Sequence, residues 1–189
     1  MRKLTGLLLG LVLVGVMAGL ASAAISDSIT LKVSCVVSLS VDIDKDEYNF
    51  GNVAPRTATI STETIQVTNN SGGRTEDYTI NCSTYTAAWN LMASDPADSD
   101  ENKFSLKALL KSAQASESDF STKAFLDTDS ASQQNMTEAD FGTTNYHGDD
   151  VVADAVRNIW FRLHTPGTTT TESEQSFSVT ITANISTTF

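Results

Sequence analysis

The chain has 189 residues, with 12 Lys and Arg against 23 Asp and Glu and a formal charge of −11 at pH 7. Aromatics make up 7% of it, and it holds two cysteines, two histidines and three prolines. So acidic a balance argues against nucleic acid or anionic lipid as a partner, and the length suits one domain.

Residues 1–23 read as a signal peptide. Arg2 and Lys3 give a positive start, an apolar run extends from Leu7 to Leu20, and Ala21-Ser22-Ala23 supplies the small residues a signal peptidase reads. The run is short for a membrane span of about 20 residues, although an uncleaved N-terminal anchor is the second reading. Cleavage leaves 24–189 as a single domain of 166 residues, with 10 basic against 23 acidic side chains and a charge of −13. No later apolar run is long enough for a helix across a membrane. The expected location is secreted, periplasmic or at the cell surface, with no stable membrane span after cleavage.

From Ile29 the apolar residues fall on odd numbers: Ile29, Leu31, Val33, Cys35, Val37, Leu39, Val41 and Ile43. Period two is the mark of a strand buried on one face, and fifteen residues is long enough to predict a break near 35–38. Ala58 and Ile60, then Ile65 and Val67, alternate with a phase slip at 62–64, which predicts a bulge or short turn. The run Asn69-Asn70-Ser71-Gly72-Gly73 predicts a tight turn and a hairpin into Tyr78, Ile80 and Cys82, because Asn and Gly accept positive φ cheaply. Trp89, Leu91 and Met92 precede an acidic loop at 95–101. The alternation of Phe104, Leu106, Ala108 and Leu110 favours a strand, with a helix over 103–114 as the alternative.

Residues 112–150 are the least periodic and predict an elaborated loop region. Within it 123–126 reads as a strand, and Thr137-Glu138-Ala139-Asp140 reads as the capped start of a short helix. Ile159, Phe161 and Leu163 share one strand face opposite Trp160, Arg162 and His164, and Phe177 to Ile185 gives a final strand. Eight or nine strands with no βαβ alternation predict an all-β, immunoglobulin-like antiparallel β-sandwich.

Cys35 and Cys82 are each in phase with the apolar face of a strand, so in an exported chain they are candidates for a disulfide. It would close a loop of about 48 residues, contributing roughly 4 kcal/mol in the chain-entropy model; two separate buried thiols are the other reading. Asp42, Asp44 and Asp46 place oxygen ligands at alternate positions, a pattern that suits calcium, but without the glycine and glutamate of an EF-hand loop. Solvated turns in an acidic chain are the favoured reading of them. Trp160, Trp89 and Tyr146 are candidates for an aromatic ligand-binding platform for glycan, or else lie under the loop region. No serine has a nucleophile-elbow context and only His147 and His164 could serve as bases, so the chain reads as no enzyme.

Two resemblances rest on particular residues. The run Phe50-Gly51-Asn52-Val53, followed by Ile65-Gln66-Val67-Thr68-Asn69, resembles the opening of Hydin-type (ASH, PapD-like) immunoglobulin domains over residues 39–82. That resemblance implies a binding or scaffolding module. Cys35, Phe50-Gly51 and Ile65-Gln66-Val67-Thr68 also resemble secreted pilin-like proteins of the spore coat U and archaic chaperone–usher type, with the second cysteine in a later strand than that pattern has it. The function expected is an exported, non-enzymatic surface, structural or adhesion protein, with a fibre subunit included. Its partners would be other surface proteins or itself, through 25–33 pairing with a neighbour's sheet edge. The alternatives are a glycan- or calcium-binding secreted module and a small outer-membrane β-barrel, the latter suggested by the terminal Phe189.

Overall fold

The computed structural model describes residue 32 and residues 38–85, 88–126 and 133–186. The expected signal peptide, Cys35 and nearly all of 29–37 lie outside these residues. The described residues from 38 onward belong to one compact unit. Its strands are β1 (Val41–Ile43), β2 (Ala58–Ile60), β3 (Ile65–Asn69), β4 (Glu76–Tyr85), β5 (Asn90–Leu91), β6 (Lys103–Leu110), β7 (Gln134–Asn135), β8 (Val156–His164) and β9 (Phe177–Ile185).

The strands form two sheets. One runs β1-β3-β8-β6-β5, with β2 also on β8, and the other runs β7-β4-β9. Among the described strands only β5 pairs in parallel, with β6. The sheets face each other as a β-sandwich, and the expected fold class holds. Both sheets end in edges, so the described strands do not close into the barrel considered above.

Alternation explains the core. Tyr78, Ile80 and Cys82 of β4 point inward and are 0% exposed, opposite Leu106, Ala108, Leu110, Ile159 and Phe161 of the larger sheet. The other face of β6 and β8 carries a second cluster, Leu109, Trp160 and Phe120 with Ala115. These strands are therefore apolar on both sides, which is why 103–110 reads as nearly continuous apolar sequence.

The phase slip at 62–64 is real. β2 and β3 both lie along β8, pairing at Arg162–His164 and at Val156–Ile159, and Ser61 bridges the gap to Phe161. The hairpin at 69–73 is not. Gly72 and Gly73 do take positive φ, 68° and 119°, but the turn carries the chain from one sheet to the other. β3 already has β1 on one edge and β8 on the other, so no edge is left for β4. Asn69, 0% exposed, holds this corner by donating from Nδ2 to the carbonyls of Arg74 and Val151.

The loop region divides into two covers. Residues 111–126 lie over the outer face of β6 and β8, with a 3-10 helix at Glu117–Phe120 begun by Ser116, whose N–H and hydroxyl both donate to Asp119. The strand expected at 123–126 is a single bridge from Phe125 to Lys107. The helix expected at 137 is one turn, closed by Phe141 N–H on Thr137 O and by Asp140 N–H on Thr137 Oγ1. Residues 133–151 close the far edge of β4. There β7 pairs with Thr79 and Ile80, Tyr78 N–H donates to Gly148 O, and Glu76 exchanges both bonds with Val151. Gly148 must be glycine, since a Cβ there would stand 2.6 Å from Met136 Cβ.

Candidate functional site

Among the described residues six strands face three, and the difference shows beside β9. Its only paired neighbour among the described residues is β4. Between that edge of β9 and the β1–β3–β8 side of the larger sheet lies a groove of about 930 Å³. Its floor is Ile43, Ile65, Phe161, Leu163, Val179 and Ile181, and Phe50, Trp89 and Phe177 stand on its walls. Phe177, Val179 and Ala183 are only partly buried, in contrast with the 0% of Tyr78, Ile80 and Cys82 on the neighbouring strand. The rim carries Asp46, Glu47, Glu172 and Glu174 with Lys45 as its cation, and Lys45 is paired with Glu63 at 2.6 Å. Tyr48 and Phe50 meet edge to face at 4.9 Å, and Thr62 N–H donates to the Tyr48 hydroxyl, which pins one wall.

A second constellation lies on the outer face. The Arg162 guanidinium, with 8% of its side chain exposed, donates to both Asp95 oxygens at 2.8 and 3.2 Å and to Glu117 at 2.6 Å. Ser105 Oγ donates to Asp95 at 2.8 Å, and Lys107 Nζ donates to Phe120 O while lying 4.1 Å from the Phe125 ring centroid. Burial opposes ionisation of Asp95, but the bonds from Arg162 and Ser105 outweigh it and hold the carboxyl at about 2. Burial pushes the Lys107 ammonium down.

Serine, histidine and aspartate meet here, but not as a catalytic relay. His164 Nδ1 lies 3.3 Å from Asp95 Oδ1 without hydrogen-bond alignment, the carboxylate sits between histidine and serine, and Ser105 is 0% exposed. A base must stand between nucleophile and carboxylate to take the proton. The arrangement instead clamps two cover segments, through Asp95 and Glu117, onto the sheet.

The residues singled out from sequence are dispersed. Trp160 is 6% exposed in the outer cluster, with Nε1 donating to Lys111 O. Trp89 packs toward the opposite face of that sheet, 6.0 Å from Phe104, and donates to Thr169 Oγ1. The Tyr146 hydroxyl accepts from Asn158 N–H, and its ring lies under Arg157. The three do not share one platform, because Trp160 faces away from the core that Trp89 and Tyr146 border. Asp42, Asp44 and Asp46 are exposed, and an Asp44 oxygen accepts the Gln66 N–H. No group of three His, Cys, Asp or Glu side chains gathers for a metal among the described residues. The cause is extension: alternate residues of a strand stand about 6.5–7 Å apart, too far to converge on one ion. Cys82 is a buried free thiol, pushed up to about 11 by burial, and its expected partner Cys35 lies outside the described residues.

Sequence reasoning missed the groove and the clamp. The clamp left a trace, since Lys107 and Arg162 each interrupt an otherwise apolar stretch, a sign of charge buried on a second face. No protein-family model matches this chain, and no curated protein matches it.

Proposed function

We propose that this protein is an exported, non-enzymatic structural or adhesion subunit that associates with its own kind or with other surface proteins through the groove beside β9. The observation that carries this is the far edge of β9, unpaired among the described residues, beside a partly exposed apolar floor. A bare edge with half-covered apolar side chains is a template for another strand. The leader-like 1–23 supports export to the periplasm, the cell surface or the medium, and both family resemblances support a scaffold over an enzyme.

The test is light scattering over a concentration series together with electron microscopy of the purified chain. Oligomers or filaments are expected, and a monomer at every concentration sinks the reading. A second reading is favoured by the groove's volume, within the range of small-ligand sites, and by its aromatic walls. It is a module that takes a glycan there, and quenching of Trp89 fluorescence by a member of a glycan panel would select it.

A further inference from the structure

We infer that the groove takes a cationic glycan: an oligosaccharide of amino sugars whose nitrogens are free ammonium groups and not acetamides. This rests on the glycan reading above and names its ligand class. Two acidic pairs border the groove from separate segments. Asp46 and Glu47 follow β1, and Glu172 and Glu174 lie on the stretch that leads into β9. Other carboxylates of the chain are matched with cations: Asp95 and Glu117 with Arg162, Asp119 with Lys111, Asp100 with Lys103. Among the described residues none of the four rim carboxylates is in an ion pair, and the cation beside them, Lys45, is held by Glu63 at 2.6 Å. Negative charge therefore gathers around one apolar groove without a counter-ion, and a ligand's positive charge is favoured there.

The walls narrow the chemistry of that cation. Phe50, Trp89 and Phe177 are partly buried rings on the groove. The negative face of an aromatic ring attracts the C–H groups of a pyranose and an ammonium carried beside them. Phe177 stacks on Phe104 at 5.3 Å, and Trp89 lies 6.0 Å from the same Phe104, so one buried ring supports both. Thr171 Oγ1 accepts the Ser173 N–H and keeps its own proton to donate. A hydroxyl donor beside carboxylate acceptors complements a ligand rich in hydroxyls. The volume of about 930 Å³ suits a short oligomer.

Charge then decides among sugars. A uronic or sulfated glycan would add to the repulsion of the rim, and a neutral glycan gains nothing from the four acids. An exposed ion pair contributes a factor of about 1.4–5 in affinity. Two or three such pairs along one oligomer give about tenfold, fading as salt screens them.

Calorimetric titration of the full chain with two tetramers tests this, one of glucosamine and one of N-acetylglucosamine, at low salt and a mildly acid pH where the amines are protonated. The glucosamine tetramer is expected to bind about tenfold more tightly. Glu172→Gln with Glu174→Gln is expected to remove most of that preference while leaving the circular dichroism unchanged. Glu138→Gln with Asp140→Asn, an equal change of charge on the cover at the far edge of β4, is expected to leave it intact. Equal or tighter binding of the acetylated tetramer overturns the inference but leaves the glycan reading standing. An equal loss in the Glu138 and Asp140 variant assigns the preference to diffuse attraction by an acidic chain, and overturns it too. If neither tetramer binds and no member of the glycan panel quenches Trp89, the inference and the glycan reading both fall.

Discussion

The two edges of the smaller sheet are finished differently. The far edge of β4 is closed by β7, by Gly148 and by the two bonds between Glu76 and Val151, and the side chains behind it are sealed at 0% exposure. Among the described residues the edge of β9 has no such cover, and Phe177 and Val179 behind it stay partly exposed. One stretch of sequence, 133–151, makes the difference. It is irregular because it follows the edge it covers, with Gly148 placed where any side chain would strike Met136.

If stability resides on the covered sides, substitutions there should dominate. The largest effect is expected from Phe120→Ala, at 1% exposure beneath the outer cover, which should cost about 3–5 kcal/mol in urea unfolding. Gly148→Val should cost about 3 kcal/mol through overpacking against Met136 and Tyr78. Arg162→Ala should cost about 2 kcal/mol, below the range for fully buried pairs, because Asp95 and Glu117 keep 39% and 59% side-chain exposure. On the β9 edge, Val179→Ala should cost about 1 kcal/mol or less, while Val179→Arg should leave the unfolding midpoint nearly unmoved and abolish the oligomer expected in light scattering. A Val179→Ala cost equal to that of Phe120→Ala would erase the distinction between the edges.

The smallest effect is the response to acid. Asp95 and Asp119 are both held at about 2, the first by Arg162 and Ser105 against its burial, the second by Lys111 and Ser116. A depressed carboxyl contributes stability that is present above its unfolded value near 4 and lost as pH falls from there toward 2. Both groups hold down the outer cover, so Trp160 emission should shift to the red over that window before the groove side responds. A shift confined to higher pH would dissociate it from these two carboxylates.

Period-two alternation carried the strands β6, β8 and β9 from sequence to structure, because each buries one face against the other sheet. It could not reveal which strands are neighbours. The turn at 69–73 has the residues of a hairpin, yet both edges of β3 are occupied by strands drawn from elsewhere in the chain. The covers were opaque for another reason. Their order comes from single bonds to particular partners, such as Lys107 Nζ to Phe120 O, and not from any repeat. The groove was invisible because it lies between strands of two sheets, and no repeat in the sequence says which strands will border one another.

Cys82 stands in register with Val179 of β9. A segment on the far side of β9 therefore lies two strand spacings from it, about 9.5 Å, whereas a disulfide needs Cα atoms about 4.4–6.8 Å apart. No thiol held at that edge can reach Cys82, whose side chain at 0% exposure meets a reagent only when the two sheets part. Its rate of modification therefore reports the opening of the sandwich, and not the state of its surface.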